Sequence, residues 1–476
     1  MLQEQASRKN TAFMKKQLIV VWDALLARNG VVAYMPIIVV TILMFCGASW
    51  QIFWPSTDAA RYQCYALVFW LGGGATQLLP VSQCAFLHAS TIIYPPFHML
   101  PLEYPPLTLV IFSLSLLAPI SYYQLVFALW MALTSMLIYW LLLRYGPRGA
   151  ALTFALYALV GAWGTAEGRF DLVPAALTLL CVLAAERKHW TAAYIALAFG
   201  TLLKIYPLLL LPALFIAEQH AARRFHRPAE TMTLTSLPVE LWRTLRGIGN
   251  WRWQNSLVFF SILFGVTAIF ALLDFQGAVV SQLNYFAHRP VQIESTGSTI
   301  LWIATQFGYL AHVEFTFGSL NIVSVLGNTV SSFFLLAFVL GYVYTIWLQW
   351  RGKLDVVQSF IALLLVFIAT GKVFSPQYLI WVMPLLAYSC ALDGFWLPFW
   401  GSISLLTTLI YPYLYTRTTN VLAVQYVPGF IQSVSVRDAL FVLVTLAYLF
   451  NWLQVRKRKL LPQRRPGKET RPLLES

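Results

Sequence analysis

Apolar runs of about 14 to 22 residues recur from one end of this chain to the other, parted by short polar breaks. A helix needs roughly 20 residues to cross ~30 Å of hydrocarbon. The runs predict spans over residues 31–50, 122–143, 149–163, 172–185, 190–203, 207–217, 257–273, 330–348, 356–370, 378–392, 395–411 and 439–453. This makes an all-α polytopic membrane protein with about twelve transmembrane helices, between roughly eleven and thirteen. The short run 107–118 does not fit the alternation of these spans across the membrane as a full crossing and is expected to be re-entrant or half-buried, where protein or a cavity covers its backbone.

Composition removes the soluble alternative. Of 476 residues, 59% are hydrophobic and 11% charged, too little charge to cover the surface of globular domains of this total length. The net charge of +14 raises nucleic acid as a partner, and the placement of the charges answers for the bilayer instead. Basic clusters fall at Arg8 to Lys16 with Arg28, at Arg144 and Arg148, at Arg187 and Lys188, from Arg223 to Arg252, at Arg351 and Lys353, and through the tail from Arg456. The span order puts all of them on one side, taken as cytoplasmic with both termini.

The expected organisation is then a basic, amphipathic cytoplasmic helix over 1–30, with Phe13, Leu18, Trp22 and Leu25 toward lipid, and no cleavable signal. A transmembrane domain over 31–454 follows. It contains a long first outer loop (51–104) bearing short amphipathic helices, a basic cytoplasmic loop (218–254) and an outer loop (274–329). A basic cytoplasmic tail closes the chain over 455–476. The setting implied is the plasma membrane.

The basic residues left over are Arg61, Arg169, Lys204, Arg289, Lys372, Arg417 and Arg437, all on the outer side. Arg417 and Arg437 read as ordinary loop charge as readily as anything else. Arg169, Lys204 and Lys372 sit at the edges of apolar runs, where an unpaired charge is expensive and usually functional. The runs beside them are short: 14 helical residues cover only ~21 Å. An outward-facing wet cavity explains both features.

Polar motifs cluster on the same side. Thr57-Asp58-Ala59-Ala60-Arg61-Tyr62 offers a carboxylate able to act as general base, or else Thr57 or Asp58 as a helix N-cap. Glu103-Tyr104-Pro105-Pro106-Leu107 ends the loop with prolines that impose an extended entry, and Glu103 either lines the cavity or solvates the loop. Arg169-Phe170-Asp171 opens a helix, either as a structural ion pair or as a fork for a phosphate. Lys204-Ile205-Tyr206-Pro207 and Lys372-Val373-Phe374-Ser375-Pro376-Gln377-Tyr378 occupy two hairpin tips. His288-Arg289-Pro290 leads to Glu294-Ser295 in the outer loop. Cys64 and Cys84 share the first outer loop, in an oxidising compartment that permits a disulfide.

This ordered set, spread over residues 55–384 with Trp381 and Pro384, resembles the integral-membrane glycosyltransferases of the C fold (GT-C). Within them it is most similar to the polyprenyl-phosphate-mannose-dependent α-mannosyltransferases and related arabinofuranosyltransferases, and more distantly to GPI mannosyltransferase I. The resemblance implies a polyprenyl-phosphate sugar donor, a glycolipid or glycan acceptor, and a base at the position of Asp58. Some relatives carry a second acidic residue where this chain has Ser56, so no metal and no cofactor is expected.

On this reading the donor phosphate is held by Arg169, Lys204, Arg289 and Lys372, with Tyr206, Gln377 and Tyr378 as hydrogen-bond donors. Arg61, Tyr62, Glu103, Tyr104, Asp171, His288, Glu294 and Ser295 line the substrate. Two other classes share parts of the pattern: a transporter or flippase of lipid-linked solutes, and a polymerase or ligase of surface polysaccharide.

Overall fold

Each of these apolar runs is helical in the computed structural model, which describes residues 26, 30–54, 57–80, 83–87, 97–225 and 236–456. The surface helix expected over 1–30, Ser56 and the tail beyond residue 456 lie outside the described residues. In chain order the helices are α1 Met35–Gly47, α2 Ser49–Phe53, α3 Asp58–Leu71, α4 Thr108–Leu114, α5 Tyr123–Tyr145, α6 Ala150–Gly161, α7 Leu172–Glu186, α8 Trp190–Leu203 and α9 Leu211–Ala221. They continue with α10 Leu237–Arg246, α11 Gln254–Leu273, α12 Ser281–His288, α13 Thr296–Thr305, α14 Gly327–Trp350, α15 Val356–Thr370, α16 Tyr378–Ser389, α17 Trp396–Thr408 and α18 Phe430–Phe450.

Length and burial sort these helices. Among the described residues four are long and apolar enough to cross a bilayer singly: α5 with its preceding turn (Ile120–Tyr145), α11, α14 and α18. Little of α11 or α14 is buried within the protein, so their apolar sides are left for lipid. The short helices are the buried ones. α15 has 15 residues and α16 has 12, and nearly all of both are inside. At 1.5 Å per residue α16 rises only ~18 Å. α15 starts at a capping box in which Asp355 accepts from the Gln358 amide at 2.8 Å and Gln358 accepts from the Asp355 amide at 3.1 Å.

The run 107–118 forms the short α4 and a 3₁₀ turn, with Leu109 and Phe112 buried against α3. A disulfide joins Cys64 of α3 to Cys84.

The helical class holds with one addition. The outer loop 274–329 contains a three-stranded antiparallel sheet in the order β1–β3–β2: β1 Val291–Gln292, β2 Ala311–Thr316 and β3 Ser319–Ser324. β2 and β3 are joined by Phe317 and Gly318, both at positive φ (51° and 66°), as a tight two-residue hairpin turn demands. A side chain at Gly318 would also collide with Arg61, whose Nη1 lies 2.8 Å from where its Cβ would stand. The turn therefore sits directly on Arg61.

A second difference concerns the last span. α18 begins at Phe430, nine residues before the expected run, after a left-handed Gly429. Arg437 and Asp438 thus lie inside a helix rather than in a loop, and both are buried.

Candidate active site

Three helix ends meet at one level: the start of α7, the end of α8 and the start of α16. Their shared anchor is Asp171. Lys204, which ends α8, reaches its Oδ1 at 2.5 Å, and the Trp381 indole of α16 donates to the same oxygen at 2.6 Å. Asp171 is 1% exposed, and this carboxylate is tolerated there because a cation and a donor both meet it. Lys204 also lies over the rings of Phe170 (5.0 Å) and Trp381 (5.1 Å), and Trp381 is stacked between Tyr206 (4.2 Å) and Tyr378 (4.0 Å). Burial lowers the Lys204 pKa, opposed by the charge of Asp171.

Asp58 opens α3 at the same end. The N-cap is Thr57, whose hydroxyl accepts from the Ala60 amide at 3.4 Å. This frees the Asp58 carboxylate, which Arg169 meets at 2.6 Å through Nη2. Arg169 also donates through Nη1 to Gln377 and to Ser375 (3.3 Å), and lies 5.4 Å over the Tyr411 ring. The Arg169–Asp171 pair considered from sequence is therefore not the one formed. Each of the two residues binds a more distant partner.

On the other side of Asp58, Arg61 stands 3.8 Å away and binds Glu103. Arg61 also stacks 4.6 Å from the Phe86 ring, which the Cys64–Cys84 bond keeps close. Glu103 is held by its turn: the Gln282 side chain donates to the carbonyls of Pro101, Leu102 and Tyr104 at 3.0, 3.2 and 2.9 Å. Burial raises the Glu103 pKa, and the Arg61 guanidinium opposes it.

Arg289 and Lys372 complete the ring. Arg289 donates to Ser319 Oγ at 3.0 Å, the residue next to the turn on Arg61, and lies 5.3 Å from the Tyr285 ring. Lys372 reaches the Arg289 carbonyl at 3.4 Å. Among the described residues neither is paired with a carboxylate, whereas Arg61, Arg169 and Lys204 all are.

The remaining expected residues have partners of their own. Tyr62 is 2% exposed and packs in an aromatic cluster with Phe112 (4.3 Å), Phe170 (5.6 Å) and Tyr104 (5.7 Å). Tyr206 bonds Thr178 at 3.2 Å. His288 is exposed and contacts the Asn284 carbonyl of its own helix. Ser295 caps α13, accepting from the Ser298 amide, and donates to the Gln292 carbonyl at 2.8 Å. Glu294 is bound by Arg437 and by the Tyr415 hydroxyl (2.8 Å). Gln282, Tyr411 and Ser319 were missed: nothing in the local sequence separates Gln282 and Ser319 from ordinary polar loop residues, or Tyr411 from the other aromatic residues at the end of the span 395–411. Arg437 gave a signal, an Arg-Asp pair adjoining an apolar run.

A groove of about 1190 Å³ runs between α14, α15 and α18, floored almost wholly by apolar side chains. It extends from Leu237, Leu241 and Trp251 at one end to Phe333, Ala369 and Thr370 at the other, two residues short of Lys372. Among the described residues no three His, Cys, Asp or Glu side chains converge as a metal would require.

No family model and no curated protein matches this chain. Among solved structures it is similar to the crystal structure of ArnT from Cupriavidus metallidurans in the apo state, with a TM-score of 0.39 and 13% identity over 88% of this chain and 76% of that one. A likeness of that extent assigns neither a fold family nor an activity.

Proposed function

We propose that this protein is an integral-membrane glycosyltransferase of the C-fold type that moves a sugar, most simply mannose, from a polyprenyl phosphate to a glycolipid or glycan acceptor on the outer face of the membrane. One observation carries the reading. Arg289 and Lys372, two cations without a carboxylate partner among the described residues, are joined through the Arg289 carbonyl, and Lys372 follows by two residues the end of α15, which lines an apolar groove. Unneutralised cations beside a lipid-facing groove suit a phosphate attached to a long hydrocarbon.

The chemistry is a single displacement. Asp58 takes the proton from the acceptor hydroxyl as its oxygen forms a bond to the anomeric carbon. The bond from that carbon to the phosphate oxygen breaks, and its electron pair leaves with the polyprenyl phosphate. The donor is a phosphodiester with one negative charge, and the leaving group is a monoester with nearly two. Arg289 and Lys372 are matched to the product-like charge, so they stabilise the transition state more than the ground state. Inversion follows from one displacement, so a β-linked donor gives an α product.

The pairing pattern divides the four cations expected at the phosphate. Arg169 orients Asp58 and Lys204 neutralises Asp171, which leaves the phosphate to Arg289 and Lys372, with Tyr378 as a nearby donor.

The test is purified protein in detergent with a panel of polyprenyl-phosphate sugars and membrane glycolipid acceptors. Sugar transfer without sealed compartments is the expected result, with Lys372→Ala raising the donor KM. Vectorial movement in sealed vesicles without transfer would establish a transporter instead.

A further inference from the structure

Arg437 lies eight residues into α18, one of the long apolar helices, and is 0% exposed. An arginine there is costly unless every donor is used. It donates to Glu294 twice, to the main-chain carbonyl and to Oε2 (3.4 Å), and to Asp438 Oδ1 from Nε (3.1 Å) and Nη2 (2.9 Å). Its guanidinium is 4.0 Å from the centre of the Phe374 ring. Thr299 supports Asp438 at 3.3 Å, and Tyr415 supports Glu294.

These contacts fall on the two segments that carry Arg289 and Lys372, the cations without a carboxylate partner among the described residues. Glu294 follows β1, five residues after Arg289, and Phe374 is two residues after Lys372. The segments are also laced together: the Gln292 amide donates to the Lys372 carbonyl at 2.8 Å, and the Phe374 amide donates to Gln292 Oε1 at 2.9 Å. One guanidinium thus clamps the face of one segment to the end of the other. Through Tyr415, whose ring is 5.2 Å from Tyr411, the same cluster abuts the ring beneath Arg169.

We propose that Arg437 is a positioning residue that sets the separation of Arg289 and Lys372, and so tunes how tightly the site holds the donor phosphate. The proposal rests on the transferase reading. It requires arginine: a lysine keeps the charge but, as a point donor, cannot span Glu294, Asp438 and the Phe374 face together.

The experiment is a double-mutant cycle on reconstituted full-length protein, with Arg437→Lys, Lys372→Ala and the pair, and Phe374→Leu as a second, milder probe of the clamp. Donor KM, acceptor KM, kcat and polyprenyl-phosphate binding are measured on monodisperse samples. Arg437→Lys and Phe374→Leu are expected to raise the donor KM about tenfold with acceptor KM within twofold, and Arg437→Lys to add nothing in the Lys372→Ala background. A lowered melting temperature with unchanged donor KM would overturn the proposal and leave the transferase reading standing, as would full additivity in the cycle. Wild-type protein that neither transfers sugar nor binds polyprenyl phosphate would overturn both.

Discussion

Arg169 holds the carboxylate of Asp58 at 2.6 Å, joining the loop before α7 to the first residue of α3. The contact aims the only side chain in that motif suited to take a proton, and Gln377 and Ser375 brace the guanidinium from behind. Asp58→Asn is therefore expected to leave a folded protein and lower kcat by on the order of 10³-fold. Initial transfer rates on monodisperse protein provide the measurement, and near-normal turnover would remove Asp58 from the mechanism.

Lys204 and Asp171 make the most buried ion pair of the site after the Arg437 cluster. Lys204→Met leaves Asp171 as an uncompensated buried charge and is expected to destabilise the protein by about 3–5 kcal/mol. Lys204→Met combined with Asp171→Asn should recover most of that loss. Thermal melts of the three proteins decide it, and equal melting of the single and double variants would show that the pair is not coupled.

Glu167 is 1% exposed, and neither carboxylate oxygen has a hydrogen-bond partner among the described residues. Burial pushes its pKa up to about 8. The folded protein therefore holds a proton that the unfolded chain releases near its ordinary carboxylate value. Stability from this group is present at low pH and declines as pH rises toward 8, by about 1.4 kcal/mol per pH unit. Glu167→Gln should flatten the melting-temperature profile between pH 5 and 8 and stabilise the protein at the alkaline end. A variant that tracks wild type across this range would contradict a buried neutral carboxyl.

The Cys64–Cys84 bond closes a loop of 20 residues, and Arg61 and Phe86, which stack on each other, lie just outside its two ends, three residues before Cys64 and two after Cys84. Replacing both cysteines by serine is expected to cost about 3 kcal/mol. It should also weaken catalysis, because Arg61 loses its stacking partner while still paired to Glu103. Melting and transfer rate, with and without reductant on the wild type, report the two effects separately. Indifference of both to reductant would count against the staple.

Much of this architecture is legible in the sequence. Helix positions followed from apolar runs, because a bilayer forces almost every spanning backbone into helix. Arg169, Lys204 and Lys372 stood out because a charge at the edge of such a run is expensive. Pairing was not legible. Arg169 and Asp171 are two positions apart and look like partners, yet one turns to Asp58 and the other to Lys204, a choice made by tertiary packing. Tyr62 and Ser295 sit within polar motifs and serve as an aromatic core residue and a helix cap, roles that local sequence leaves equally open. The sheet was hidden because β2 and β3 are short strands inside a long loop. Arg437 was obscured by the late start assigned to its helix.

The groove is walled along α14 by a helix long and apolar enough to cross a bilayer and little buried within the protein, and on the proposed reading the donor reaches it from the lipid. A ligand that enters this way never leaves the hydrocarbon, so its availability is counted per lipid molecule and not per litre of water. Adding inert phospholipid at fixed protein and fixed total donor should then slow turnover by simple dilution within the plane of the membrane, while adding buffer should do nothing.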